Sequence, residues 1–360
     1  MKVAIACDWM IGGGAERVVL ELHKMYPDAP IYTSYCSDEW RSKLDGKVVT
    51  GFLQKWPFSK ARKFLPVLRI WWFGRLDFSD FDLVISSSGA EAKGIKTGDN
   101  TVHINYCHAP THYYWMRYDE YLKNPGFGRL DPLARLGLKV LVGPLRHWDY
   151  KAAQRPDHII ANSRFTAQQI KKYYNRDARV INPPVDVERF ELTVDEPRRG
   201  FVTAGRQTPY KRLDLAVAAC TELNLPLVVI GNGPDNRRLK KLAGKSVTFL
   251  QNVGDEQMAH YFATSQAFIF PGVDDFGIVA VEAMAAGTPV IAYGQGGSLD
   301  YVNSKTGVLF KEQTVKSLVS AIQSLGSKSF KESDIVAQAQ QFSADHFQNA
   351  IKDLVRGVAK

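Results

Sequence analysis

The chain has 360 residues, 45% of them hydrophobic and 23% charged, and its net charge is +9. At about 100–200 residues per domain the length favours two domains, and the apolar share is enough for two buried cores. No long low-complexity tract or internal repeat interrupts the sequence, which excludes a disordered or solenoid chain, and the excess of basic residues suits an anionic partner: a nucleotide diphosphate, an acidic lipid surface or a nucleic acid.

In chain order, short Val- and Ile-rich runs predict strands at 3–7, 31–35, 83–86, 102–106, 158–161 and 179–181. A second series follows at 201–204, 227–230, 247–250, 267–270 and 290–293. Segments of helical period separate several of them, at 15–25, 167–174, 213–221 and 257–263. The last segment, 344–358, is also helical. Alternating strand and helix implies an α/β fold with parallel sheets. The pair Pro183-Pro184 cannot continue a ladder and marks a boundary, and 191–200 reads as a surface connection. Residues 57–76 and 124–143 look like excursions from the first sheet. Ligands of open parallel sheets bind at the carboxyl ends of the strands, so the chemistry is sought there.

The four cysteines, Cys7, Cys36, Cys107 and Cys220, form no C-x-x-C pair, so zinc and redox motifs are not indicated. Cys7 and Cys107 fall inside strand-like runs and read as buried free thiols. The sequence opens directly on a strand, without a leader-like segment, and has no apolar run of about 18 residues. The expected location is the cytoplasm.

Four segments at strand ends carry candidate chemistry. After strand 267–270 comes an acidic, Gly-bearing loop, 271–277, then a helix from Ile278 that stops at Gly287. Asp274 and Glu282 are eight residues apart and can meet one ligand. Carboxylates accept sugar hydroxyls, and the N–H groups of a helix start suit anionic oxygens. Capping alone would explain Asp274 and Asp275. It would not explain Glu282 inside an apolar helix, where an unpaired charge is costly. The second segment, Gly205-Arg206-Gln207-Thr208-Pro209-Tyr210-Lys211, puts two cations five residues apart after strand 201–204. They can converge on a diphosphate, Arg as a fork of donors and Lys as a point charge, or form a solvated basic turn. The third is Gly12-Gly13-Gly14 between the first strand and helix, a loop whose backbone can approach a ligand or merely turn tightly. Its spacing fails the dinucleotide fingerprint, because Arg17 stands where the third glycine belongs. The fourth is Tyr106-Cys107-His108-Ala109-Pro110-Thr111-His112-Tyr113-Tyr114-Trp115. Here His108 can donate to a sugar hydroxyl, and the aromatic residues offer stacking surface for an acceptor sugar.

In this order the segments resemble the family 4 retaining glycosyltransferases. Asp274 and Glu282 match the E-x7-E signature, with Asp where the family usually has Glu. Gly205, Arg206 and Lys211 match G-R-x4-K, and Gly13-Gly14-Ala15-Glu16 matches a G-G-A-E-like loop. The string from Tyr106 to Trp115 resembles the Y-C-H-x-P-x-x-Y-x-W form of bacterial GDP-mannose-dependent mannosyltransferases of surface polysaccharide synthesis. His112 stands where that subgroup often has Arg. Ala90-Glu91-Ala92-Lys93-Gly94 and Ala161-Asn162-Ser163-Arg164 look similar to the same subgroup.

The resemblance implies a GT-B fold, two Rossmann-like domains with parallel sheets facing an interdomain cleft. Residues 1–183 would bind the acceptor, 184–343 the nucleotide sugar, and 344–360 would form a helix returning to the first domain. It implies catalytic roles for His108, Arg206, Lys211 and Asp274. Gly13, Gly14, Gly205, Phe276, Gly277, Ile278 and Glu282 would hold the donor. It implies no metal and no cofactor beyond the donor substrate, with GDP-mannose favoured and a UDP-sugar (glucose or N-acetylhexosamine) as the alternative. A non-catalytic sugar-nucleotide-binding module is the other reading. The expected partners are a sugar nucleotide and a glycan or lipid-linked acceptor, not a nucleic acid. Residues 55–75 mix Trp, Phe, Lys and Arg with no acid. They would either touch an anionic membrane, on its cytoplasmic face, or pack as a helix on the first domain. Residues 139–155 add a second basic stretch.

Overall fold

The computed structural model describes residues 1–62, 65–123, 125–126, 128–192 and 194–358. The chain forms two compact units, Met1–Pro183 joined by the C-terminal segment from Phe347, and Pro184–His346.

The first unit holds a parallel sheet of β1 (Val3–Cys7), β2 (Ile31–Thr33), β3 (Val48–Val49), β4 (Leu83–Ser87), β5 (Val102–Cys107), β6 (His158–Ala161) and β7 (Arg179–Val180). Their order is β3-β2-β1-β4-β5-β6-β7. Every residue of β1 and β4 is buried, as expected of strands covered by helices on both faces. The strand expected over 31–35 ends at Thr33. Beyond it Ser34 and Tyr35 bond the main chain of Asp8 and Met10, and an isolated bridge joins Met10 to Cys36. β3 escapes a sequence reading because two residues are too few to show a period.

The second unit contains β8 (Phe201–Ala204), β9 (Leu227–Ile230), β10 (Val247–Leu250), β11 (Ala267–Phe270), β12 (Val290–Tyr293) and β13 (Gly307–Phe310), all parallel, in the order β10-β9-β8-β11-β12-β13. β13 opens on a glycine, which argues against a strand in the sequence. In the fold a Cβ there would lie 2.0 Å from the Val290 carbonyl oxygen, so the close pairing itself selects the glycine. Each sheet reverses its winding once, between β1 and β4 in the first unit and between β8 and β11 in the second. That switch point opens a crevice at the strand ends of each sheet.

The helix Ala344–Val358 crosses from one unit to the other. Its buried Phe347, Ile351, Leu354 and Val355 join the core formed by Val3, Ile5, Ile85, Ile104 and Ile160 of the first sheet. Gln348 also bonds the Glu21 carboxylate at 2.9 Å. The excursion at 57–76 forms the helices Phe58–Ala61 and Pro66–Phe73. Lys63 and Phe64 lie outside the described residues. Arg69 is 2% exposed and pairs with Glu91 at 2.7 Å, while Trp72 and Phe73 point into the core. Arg69, Trp72 and Phe73 of this stretch are therefore built into the first unit, while Lys55, Trp56, Lys60, Val67, Trp71 and Arg75 remain exposed. The excursion at 124–143 runs into the helix Asp131–Ala152; Asn124 and Phe127 lie outside the described residues. All four cysteines are buried and free, and burial pushes the Cys220 thiol up to about 12.

One core side chain makes stability depend on pH. His103 is fully buried on β5 and shares a 2.8 Å hydrogen bond with Ser86, and burial lowers its pKa to about 4. Below the unfolded histidine value of about 6.5 the unfolded chain takes up a proton that the folded chain does not. Stability is thus complete above that value and falls as the pH drops toward 4, by about 3 kcal/mol from this residue. Urea unfolding across this range should show the slope, and His103→Gln should flatten it.

Candidate functional site

In the second unit the segments after β8 and β11 meet at the switch point. Lys211 ends the short turn Pro209–Lys211, and its ammonium is ion-paired with Asp274 from the loop after β11. The backbones also touch. A Cβ on Gly272 would lie 2.8 Å from the Lys211 carbonyl oxygen, so glycine is required where the two loops cross. Asp274 is buried at 8% exposure, and Lys211 is half-buried. Arg206, between them and the strand, is exposed. No described residue makes a hydrogen bond or ion pair with its guanidinium. The intervening Gln207 is fully buried. Its amide donates to the Gly231 carbonyl at 2.8 Å and accepts from Asn236 at 2.7 Å, which fastens this loop to the one after β9.

The acidic loop is held from the far side by residues that the motif reading passed over. Gly277 caps the helix Ile278–Ala285 with φ +94°, a left-handed backbone that disfavours a side chain. Tyr301 is buried and donates its hydroxyl to the Phe276 carbonyl at 3.0 Å. Burial, with Asp274 and Asp300 nearby, holds the phenol well above its ordinary pKa, so it remains a neutral donor. Gly297 donates its N–H to the Asp274 carbonyl at 2.8 Å. The Gly-rich run 294–297 directly after a strand was the sequence signal for this support. A Cβ on Gly297 would sit 2.4 Å from both the Asp275 oxygen and the Phe276 Cα, which are backbone atoms that cannot swing away. Gly297→Ala is therefore expected to displace the loop, lower stability by about 1–3 kcal/mol and reduce the thermal stabilisation given by nucleoside diphosphates.

Glu282 lies in the second turn of the helix Ile278–Ala285, 5% exposed among Ala280, Val281, Ala283 and Met284. Phe276 is buried, while Gly277 and Ile278 are half-buried at the helix start. The second unit thus joins a paired cation to a buried carboxylate where its two loops cross; the same two segments carry Arg206, exposed and without a partner among the described residues, the buried Glu282 and a helix N-terminus. Such a set can hold a phosphate-bearing, hydroxyl-rich ligand.

In the first unit the glycine loop is partly closed by its own helix. Glu16, 5% exposed, accepts the N–H groups of Ile11 at 3.2 Å and Gly12 at 3.1 Å, so those two donors are spent internally. Gly13 is the extended residue before the helix that Gly14 begins. Across the switch point Asp8 accepts from the Ser88 hydroxyl at 2.9 Å and from the N–H groups of Ala90 at 3.2 Å and Ala92 at 2.8 Å. His108 is half-buried after β5, its Nε2 2.8 Å from the Ser87 hydroxyl and its ring packed on Tyr106. The aromatic residues expected to stack on a sugar are engaged within the unit. Tyr114 is buried. Trp115 donates its indole N–H to Asp149 at 2.7 Å and stacks on Tyr173 at 5.1 Å. The packing demand of the helix Asp131–Ala152 takes them. His112 is half-buried in the same segment.

The turn Glu91–Gly94 is fixed by two buried ion pairs. One is Arg69–Glu91, and the other is Lys93–Asp149 at 2.5 Å, with both side chains fully buried. Among the described residues no group of three His, Cys, Asp or Glu side chains is arranged to hold a metal ion.

Residues 12–189 match the family model described as Glycosyltransferase Family 4, and residues 185–342 match Glycosyl transferases group 1. The chain is 29% identical over 238 residues to the D-inositol 3-phosphate glycosyltransferase of Rhodococcus opacus, covering 56% of this chain and 53% of the relative. It is 31% identical over 176 residues to the enzyme of that name from Mycolicibacterium smegmatis, covering 41% and 40%. The chain spans about half the length of the curated relatives it matches. Among solved structures it is similar to Anabaena HepE in complex with UDP, with a TM-score of 0.71, 17% identity, and 99% of this chain and 100% of that one covered. Sucrose-phosphate synthase from Thermosynechococcus elongatus is alike at a TM-score of 0.71 and 18% identity, with 99% of both chains covered. These likenesses are of fold, the paired parallel-sheet units of the GT-B class. With one glycosyltransferase model on each of its two α/β units, the chain belongs to the family 4 glycosyltransferases.

Proposed function

We propose that this protein transfers a hexose from a nucleoside diphosphate sugar to a glycan or lipid-linked acceptor, with retention at the anomeric carbon and without a metal. The observation that supports this reading is the pairing of Lys211 with Asp274 where the loops after β8 and β11 cross, with Arg206 exposed in the first of these loops and Glu282 in the helix that follows the second. Arg206 and Lys211 would hold the diphosphate and stabilise its charge as the sugar leaves. Asp274 would accept sugar hydroxyls, Glu282 would accept the ribose hydroxyls, and the main chain at Gly205, Phe276, Gly277 and Ile278 would approach the phosphates and sugar. In the first unit the resemblance offers His108, Gly13 and Gly14 as further candidates for a role in donor recognition.

The bond from the anomeric carbon to the phosphate oxygen breaks while the bond to the acceptor oxygen forms on the same face. The acceptor's proton passes to the departing phosphate oxygen, so no protein nucleophile is needed. GDP-mannose is favoured by the resemblance in residues 106–115. A UDP-sugar is the second reading, favoured by the UDP and UDP-glucose complexes of the structurally similar HepE. The protein would work at the cytoplasmic face of an anionic membrane.

The test is release of free nucleotide from a panel of sugar nucleotides, with and without EDTA. Release from GDP-mannose alone, insensitive to EDTA, is expected. Preference for a UDP-sugar would overturn the donor, and strict dependence on a divalent cation would overturn the metal-free mechanism.

A further inference from the structure

The helix Asp131–Ala152 has two unlike halves. Its C-terminal half is anchored through Leu145, Asp149 and Ala152, all buried. Its first half carries Leu133, Leu136, Val140 and Leu141, which with the preceding Leu130 are between 42% and 67% exposed. Leu133, Leu136 and Val140 are spaced by three and four residues and therefore lie on one face. The same line continues through Pro144 to His147 and Lys151, both exposed, and Lys139 borders it. The acids of this helix do not oppose that charge: Asp131 sits in the first turn, and Asp149 is buried against Lys93. Arg135 adds a further exposed cation, although one of its nitrogens bonds the Lys123 carbonyl.

We propose that this outer face docks the first unit on an anionic lipid surface, the helix lying in the plane of the interface. The proposal gives the membrane contact named above a place on the molecule, and it stands or falls without the transfer reaction. An apolar stripe that runs into exposed cations matches acyl chains beneath acidic headgroups. A second copy fits less well. Pairing two such faces would bring like charges of two chains of net charge +9 together, and five apolar side chains fall far short of the roughly 20–30 residues a side of a stable interface. No described helix is long and apolar enough to cross a membrane, so the helix lies on the surface rather than spanning it. The exposed Trp56, Val67 and Trp71 belong to the other segment held by the turn Glu91–Gly94, through Arg69.

The experiment is flotation of the full chain with vesicles of phosphatidylcholine alone and of phosphatidylcholine mixed with phosphatidylglycerol, without any donor present. Wild type should float with the mixed vesicles and less with the neutral ones, and salt should weaken it. Leu133→Ser, Leu136→Ser and Val140→Ser combined should reduce binding at least about tenfold. Lys139→Glu with Lys151→Glu should reduce it and remove the salt dependence. Both variants should keep wild-type thermal unfolding and the same stabilisation by nucleotide, since the substituted side chains are exposed. Absence of wild-type flotation, or equal flotation by the triple serine variant, would overturn the proposal. A dimer in solution that the triple variant disperses would assign the face to a second copy and overturn it equally. Nucleotide release is measured separately, so failure of the transfer reading leaves the vesicle result standing.

Discussion

Arg206→Ala is expected to lower turnover by at least about a hundredfold while leaving thermal unfolding unchanged. The loss of one donor to a developing oxyanion costs about 3–4 kcal/mol in enzymes that depend on it. The guanidinium is exposed and has no partner among the described residues, so removing it takes away no contact of the folded chain. Lys211→Ala should lower turnover as far but behave differently in a melt, because it leaves the buried Asp274 carboxylate without its ammonium. Lys211→Ala combined with Asp274→Asn should recover stability and not turnover. Steady-state rates and thermal unfolding of the three variants separate the roles. Near-normal turnover of folded Arg206→Ala would remove this residue from the mechanism. Unequal stability losses for Arg206→Ala and Lys211→Ala are the signature of one free and one paired cation.

The largest effect on stability is expected at Asp149. Its carboxylate is fully buried and accepts from Lys93 at 2.5 Å, the Thr111 hydroxyl at 2.9 Å, the Trp115 indole at 2.7 Å and the Tyr174 hydroxyl at 2.7 Å. Asp149→Ala leaves an ammonium that is 0% exposed without its counter-charge, and it removes the acceptor of three further donors. A loss of about 4 kcal/mol or more should appear in urea unfolding of the full chain. Lys93→Met should cost less, because the carboxylate keeps three donors. Equal losses, or a loss for Asp149→Ala below about 1 kcal/mol, would show that the network does not hold the unit together. The effect should reach beyond stability. Lys93 also bonds the Gly89 carbonyl at 3.0 Å and the Ala90 carbonyl at 2.9 Å, so this pair sets the turn beside the first switch point.

The α/β character and most strands were legible because fully buried parallel strands are short, continuous apolar runs, and a run such as Leu227–Ile230 has few other readings. The chemistry-bearing loops were legible for a related reason. In a parallel sheet the polar and glycine-rich residues after a strand lie at its carboxyl end, so sequence order alone places the segments with Gly205, Arg206, Lys211, Asp274 and Glu282 at strand ends. Local composition could not say what those residues touch. That Lys211 is paired while Arg206 has no partner among the described residues, that Glu16 fills its own glycine loop, and that Tyr301 and Gly297 brace the acidic loop are all matters of contact that composition does not state.

The same limit governed the basic and aromatic stretches. Arg69, Trp72 and Trp115 look like surface chemistry in a one-dimensional reading, yet each is used inside the first unit, because a buried partner such as Glu91 or Asp149 is supplied from elsewhere in the chain. The apolar outer face of the helix Asp131–Ala152 was hidden in the opposite way. Leucines at helical spacing usually mean core, and only the packed structure shows that Leu133, Leu136 and Val140 have no core to enter. The sequence by itself determined the periodicities, and with them the sheets and the loops that carry charge. Which charges are spent on one another, and which remain for a ligand or a surface, was decided by tertiary packing, because burial and pairing belong to neighbours in space rather than along the chain.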